Sequence, residues 1–321
     1  MLRRALIAAI AFMPIAPALH AQPYPNRTIT IVAAGAAGGP TDTIARITAE
    51  ALGRQLNNTV VVEAIGGSTT GPQRVAQARP DGYTLLINNI GLASQATLYR
   101  RLTYNPLTSF APLGLVSDAA MTVVARTDFP AEDMRGAMAD LARRGDAVNF
   151  AAAGLGSAAN LCALLVQGAA GAQATMVNFR GTAPAIAELM AGRVDLLCDP
   201  ATNTVNFIRE GRVRALSVSS PARLPGLPAI PTTAEAGFPT IAMSTWHGFY
   251  APAGTPEPIQ ERLSAALRGA MADPALRRRF ADLLTEPATE ERATIAFHRA
   301  FLAEEVARWR PVIEAAGAYA D

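Results

Sequence analysis

The stretch TITIVAAGAAGGPTDTIARITAEALGRQL, residues 28–56, combines an apolar run of strand length, a turn with three glycines and a proline, and an amphipathic run. In the last part Ile44, Ile47, Ala51 and Leu52 fall on one helical face. A strand that turns at once into a helix is half of a βαβ unit and predicts a parallel sheet. The same order repeats in TVVVEAI (59–65), GGSTTG (66–71), PQRVAQAR (72–79) and GYTLLINN (82–89). After DFPAEDMRGAMADLARRG (128–145) a second run of this kind begins. It reads as strands at 147–154, 174–180, 194–199 and 213–220, with helices at 161–171, 185–193 and 204–212 between them. Such alternation implies sheets covered by helices on both faces.

Two long apolar stretches, LGLVSDAAMTVVAR (113–126) and IAMSTWHGFYAPAG (241–254), stand apart from helical neighbours and suit connections between two lobes. If the chain crosses twice, the helical segments at 255–273, 274–284 and 293–316 return to the first lobe, with Pro256, Pro274 and Pro311 near their ends or bends. The fold expected is α/β and two-lobed, each lobe a mainly parallel sheet flanked by helices. The expected division is 22–122 plus 247–321 for lobe 1 and 123–246 for lobe 2.

The length of 321 residues accommodates one large or two medium domains, and 17% charged with 50% apolar residues excludes a disordered chain. Every basic side chain is Arg. Residues 1–21, MLRRALIAAIAFMPIAPALHA, carry two arginines, a short apolar run and small residues near a cut site, which reads as a secretory signal peptide. Removing Arg3 and Arg4 from the 28 basic residues leaves 26, equal to the 26 acidic ones. A neutral mature chain gives no reason to expect nucleic acid or an anionic membrane as partner. Export places the protein in the periplasm of a bacterium. Cys162 and Cys198 are the two cysteines, and an exported pair is more often a disulfide than two thiols. Whether their Cα atoms come close enough is open at this stage.

The glycine-rich turn places Gly38, Gly39, Thr41 and Asp42 between strand and helix, where free N–H groups of a first helical turn can grip an anion. No Gly-Lys-Ser/Thr follows and the glycines miss the dinucleotide register, so no nucleotide cofactor is expected. Thr41 and Asp42 are equally well explained as helix caps. The second half repeats the device in AAAGLGSAAN (151–160), with Gly154, Gly156, Ser157 and Asn160. Ser157 lacks the second glycine of a nucleophile elbow, and past the leader only His247 and His298 could serve it. Neither histidine forms a zinc-like spacing with the cysteines, and no metal is expected. Asp199 and Arg180 close two strands at the mouth of the second sheet, where ligand contacts gather. Arg180 could clasp a carboxylate or pair with an acid of the protein. Trp246 and His247 could wall a cleft or belong to the core.

Eight segments in order resemble the tripartite tricarboxylate transporter receptors, the Bug/TctC family. They are ITIVAAGAAGGPTDTIAR (29–46), RPDGYTLL (79–86), LYRRLTYNP (98–106), FAPLGLV (110–116), VNFAAAGLGSAANL (148–161), NFRGTAPAIAELMAGRVDLLCD (178–199), LPAIPTTAEAGFP (227–239) and WHGFYAPAGTP (246–256). The resemblance implies a type II-like, Venus-flytrap binding protein that closes two lobes on a small carboxylate such as a di- or tricarboxylate, an acidic amino acid or an aromatic acid. It implies delivery to the permease subunits of a tripartite transporter, or reading by a sensor kinase. It also implies a monomer and not an enzyme, with an exported enzyme or sensor-coupled receptor on the same scaffold as the alternative. Carried over by motif, the binding loops are Gly38 to Asp42 and Gly154 to Asn160, with waters bridging ligand and backbone. Arg180, Gly181, Thr182 and Asp199 lie in the adjoining motifs. Two departures stand out: small residues around Gly35 replace an aromatic common in the family, and Asn160 replaces a frequent histidine, exchanging a titratable group for a neutral amide.

Overall fold

The computed structural model describes residues 24–317, 319 and 320, so the expected signal peptide at 1–21 lies outside the described residues. The chain begins with β1 (Ile29–Ala34), α1 (Pro40–Leu56), β2 (Val60–Ile65), α2 (Thr70–Ala76), β3 (Thr84–Asn89), α3 (Gly91–Leu98) and the 16-residue β4 (Phe110–Ala125). Next come α4 (Met134–Arg144), β5 (Asn149–Ala152), α5 (Ala158–Ala170), β6 (Thr175–Asn178), α6 (Thr182–Met190), β7 (Leu196–Pro200), α7 (Ala201–Arg209) and β8 (Arg214–Val218). An irregular stretch, 219–243, leads to β9 (Ser244–Pro252), α8 (Glu257–Ala272), α9 (Pro274–Asp282), β10 (Thr285–Pro287) and α10 (Ile295–Ala316).

Hydrogen bonding divides the strands into two groups that share β4. In the first, β2, β1 and β3 run parallel, and β9 joins antiparallel to β3 and to Phe110–Ala120 of β4. β10 adds to β4 at Ser117 to Ala119. In the second, Met121–Ala125 of β4 pairs antiparallel with β7, and Thr122–Ala125 with β8, while β7, β5 and β6 run parallel. This is the two-lobed α/β arrangement, with three parallel strands in each half and antiparallel strands where the halves join.

Local sequence explains the elements. β1 is apolar and almost wholly buried because strands flank it on both sides, whereas edge strand β2 alternates half-buried and exposed residues. α1 starts with Pro40 in its first turn, where a missing N–H costs nothing, and ends on Asn57 in the left-handed region. Asp133, Ser157, Asp273 and Thr294 cap α4, α5, α9 and α10 by accepting backbone N–H groups. Pro311 lies inside α10, not at its end. α8 and α9 pack on α1, and α10 packs on α3 and β4, so the C-terminal helices do cover the first sheet.

Two elements differ from the sequence reading. The sequence pattern predicts no helix at α3, since Gly91, Leu92, Ala93, Ser94, Gln95 and Leu98 are buried and a short helix buried at six of eight positions shows little amphipathic period. β9 was read as a second crossing strand, but it pairs only with β3 and with β4 up to Ala120. The passage back is made by 219–243, pinned where the pairing changes: Ser219 Oγ accepts from the Met121 N–H at 2.8 Å and donates to the Met243 carbonyl.

Cys162 on α5 and Cys198 on β7 are bonded, with Cα atoms 5.9 Å apart. They tie the helix that starts in one expected binding loop to the strand that carries Asp199. Bridging a sequence separation of 36 is worth ~4 kcal/mol in unfolded-chain entropy. The Cys162→Ser/Cys198→Ser protein should therefore unfold at distinctly lower denaturant than wild type, and reducing agent should lower wild type alone. Equal denaturation midpoints with and without reductant would show that the bridge adds no stability.

Candidate ligand-binding site

Six parallel strands end at the same place. β1, β2, β3, β5, β6 and β7 each lead at their C-terminal ends into the next helix, and residues of all six turns line one cavity of about 580 Å³. Lobe 1 contributes Ala34 to Ala36 and Gly39 to Thr41, then Gly66 to Ser68, then Asn88, Asn89, Gly91 and Gln95. Lobe 2 contributes Ala153, Gly154, Gly156 to Ala159, Phe179 to Thr182, Asp199 and Pro200. The lining therefore gathers the positive ends of helices from both lobes on one space, an arrangement suited to an anion.

Of the residues expected at the site, Gly39, Thr41, Gly154, Gly156, Ser157, Arg180, Gly181, Thr182 and Asp199 line this cavity, while Gly38, Asp42 and Asn160 lie behind it. Gly38, at φ +74°, donates its N–H to Asp42 Oδ2 at 2.9 Å, and Asp42 also pairs with Arg46. Asn160 accepts the Gly156 N–H at 3.1 Å and donates its own N–H to Ser157 Oγ. Each of these two side chains holds the shape of a glycine loop; for Asp42 this is close to the capping role that competed with ligand contact in the sequence. Trp246 and His247 are both buried and neither lines the cavity. Trp246 donates to Glu305 and packs edge-on against Phe301.

Missing from the sequence reading were Asn88, Asn89, Gln95, Phe179 and the Gly66–Ser68 turn. The signal for the asparagines was present: two amides end an apolar strand at the edge where ligands meet such sheets. Gln95 carried no signal because its helix was not recognised.

Charge in the cavity wall is sparse. Arg180 is exposed and has no ion-pair or hydrogen-bond partner among the described residues. Asp199 is fully buried and accepts from Thr182 Oγ1 at 3.0 Å and Asn203 Nδ2 at 3.1 Å. Loss of hydration outweighs those two bonds, and its pKa is pushed up to about 7.

The lobes touch across the cleft through small groups. Ser94 Oγ shares its hydrogen between the Gly91 carbonyl at 2.8 Å and the Gly156 carbonyl across the cleft at 3.0 Å, and Ser68 Oγ donates to the Leu155 carbonyl at 3.2 Å. A Cβ at Gly156, where φ is +73°, would lie 2.5 Å from Leu98 Cδ2, and one at Gly181 would lie 2.9 Å from Ala36 Cβ. Glycine is required at these positions by both conformation and close approach.

A two-lobed α/β protein with a cavity ringed by helix starts at the junction of its lobes has the architecture of a solute-binding receptor. The profile of the family described as tripartite tricarboxylate transporter family receptor matches residues 44–318. The chain belongs to this family. It is 40% identical over 296 residues to a UPF0065 protein of Agrobacterium vitis, from the TAR-I ttuE-ttuC' intergenic region, covering 92% of this chain and 86% of that one. The structure of the periplasmic binding protein BugD is similar at 38% identity and TM-score 0.88, over 92% of this chain and 99% of the other. That of MatC from Rhodopseudomonas palustris with bound malate is similar at 35% identity and TM-score 0.86, over 90% and 100%.

Two outcomes follow. With a folded pKa above the unfolded one, Asp199 lowers stability progressively as pH rises from about 4 to about 7, because the folded state must give up a proton it holds more tightly. Asp199→Asn removes this term, so its melting temperature relative to wild type should be higher at pH 8 than at pH 5. A pH-independent difference would contradict the assignment. Gly156→Ala should fold but resist closure, weakening ligand binding at least tenfold while moving the melting temperature of the unliganded protein only a few degrees.

Proposed function

We propose that this chain is an exported, periplasmic and monomeric receptor that captures a small carboxylate between its lobes and presents it to the permease subunits of a tripartite transporter. It acts by binding and carries out no chemistry on the ligand. The observation that carries the reading is the convergence of helix starts from both lobes on a cavity with one exposed cation and no lysine. The family membership and the malate bound by the similar R. palustris protein support the ligand class. Among the described residues no helix is long and apolar enough to cross a membrane, and no His/Cys/Asp/Glu group could hold a metal ion.

In this reading lobe 1 is 22–122 plus 247–321 and lobe 2 is 123–246, and the ligand is held by the nine expected residues that line the cavity. A helix start contributes ~0.3–1 kcal/mol when exposed and ~2 when partly buried. Hydrogen bonds to a charged group add ~1.5–3 kcal/mol each. A micromolar receptor needs ~8 kcal/mol net, which a few such contacts supply. Contacts made to both lobes at once favour the closed state over the open one.

Isothermal titration against malate, succinate, citrate, glutamate and benzoate should find at least one ligand bound at micromolar strength or better. Binding by none of them, together with turnover of any one, would overturn the proposal. Gly39→Asp should abolish that binding, while Gly39→Ala, which meets the same 3.0 Å approach to the Ala36 carbonyl, should weaken it far less. Equal losses would mean that space, not charge, governs the site.

A further inference from the structure

His247 is fully buried behind the cavity, with a hydroxyl on each ring nitrogen. Ser117 Oγ lies 3.0 Å from Nδ1 and Thr41 Oγ1 lies 3.3 Å from Nε2. Thr41 lines the cavity and also accepts from Asn89 Nδ2 at 3.4 Å. A neutral imidazole has one N–H, so the chain of bonds can run in either of two directions.

Counting hydrogens decides between them. If Nδ1 carries the proton, it donates to Ser117 and Thr41 donates to Nε2. The Ser117 hydroxyl hydrogen then has no acceptor among the described residues, at a site only 1% exposed. If Nε2 carries the proton, Ser117 donates to Nδ1, and Thr41 accepts from both His247 and Asn89. The one hydrogen left over is that of the Thr41 hydroxyl; Thr41 is 2% exposed, but unlike Ser117 it lines the cavity, where a ligand or water oxygen can take that hydrogen. An unsatisfied buried donor is costly, so the second arrangement prevails. Burial also holds the pKa of His247 down to about 3, which keeps the ring neutral across the physiological range.

A second donor stands on the same wall. Asn88 is 3% exposed, lines the cavity, and uses Oδ1 to accept the Asn89 N–H at 2.8 Å, which sets the orientation of its amide. Its Nδ2 has no partner. The two Nδ2 hydrogens of Asn88 and, in this arrangement, the Thr41 hydroxyl hydrogen thus have no protein acceptor.

We propose that His247 is a positioning residue for ligand recognition: it accepts from Ser117, donates to Thr41, and so commits the Thr41 hydroxyl to donate to a ligand oxygen. The class recognised is an acceptor-only oxygen group, as in a carboxylate. An ammonium or amide nitrogen would meet donors and be refused. This rests on the receptor reading above, but the tautomer can be tested without any ligand.

Ring nitrogen shifts of histidine in the ¹⁵N-labelled protein, assigned through the backbone, should show His247 neutral and protonated at Nε2 at pH 7. Protonation at Nδ1, or a charged ring, would overturn the proposal. For the tightest binder among malate, succinate, citrate and glutamate, Thr41→Val should weaken binding by about tenfold or more and Thr41→Ser by much less. His247→Phe should weaken binding several-fold in the wild-type background and by less than about twofold beside Thr41→Val, since its effect passes through that hydroxyl. Equal losses in both backgrounds would make His247 a packing residue only. If no carboxylate binds wild type, the receptor reading fails while the tautomer measurement still judges His247.

Discussion

The backbone ladder of β4 is the constraint on which the molecule turns. Its residues Phe110–Ala120 pair with β9 in one half and Met121–Ala125 with β7 and β8 in the other, so one strand belongs to both sheets. Its residues are buried on nearly every position, which a strand can satisfy only with partners on both edges and cover on both faces. Sharing a strand fixes which edges of the two sheets face each other. The three parallel strands of each half then have their C-terminal ends, and the helices that start there, on one cavity. The binding geometry is thus a consequence of strand direction before it is a matter of side chains.

That explains how much of the protein was legible in sequence. Strand-turn-helix alternation gave α/β lobes because β1, α1 and their counterparts have strong periods. The loops 38–42 and 154–160 could be placed at the mouth because glycines between a strand and a helix have few other uses. Not legible was helix α3, whose burial at six of eight positions blurs its period, and with it Gln95 and the Ser94 contact to Gly156. Distinguishing Thr41, which lines the cavity, from Asp42, which turns inward to Gly38, was also beyond reach, since adjacent residues of a first helical turn differ only in direction. Asn160 shows the same limit: a side chain that builds a loop and one that reads a ligand have the same composition.

The buried histidines illustrate how context, not residue type, sets a role. His298 accepts the Gly114 N–H at 3.2 Å and packs against Tyr250, far from any partner that could carry its influence to the cavity. His247 has the same burial and the same lowered pKa, yet stands one hydroxyl from the cleft. His247 lies in a segment that resembles the family and His298 in none, but neither contact could be read from spacing, because they join residues 206 and 184 positions away.

The acid in the cavity wall needs the same weighing. For a carboxylate ligand within ~4 Å, an ionised Asp199 would oppose binding by ~4 kcal/mol at an effective dielectric near 20, about half of what a micromolar receptor requires. Protonating a carboxyl whose pKa is about 7 costs only ~0.4 kcal/mol at neutral pH. On these magnitudes the protonated form of Asp199 would be the cheaper state beside a carboxylate. Burial beneath Thr182 and Asn203, with no cation paired to it, is what keeps that form cheap. A salt bridge to Arg180 would have lowered the pKa and locked the negative charge in place. The unpaired arginine at the rim and the near-neutral acid within leave no locked negative charge in a wall whose helix starts, guanidinium and neutral donors suit an anion.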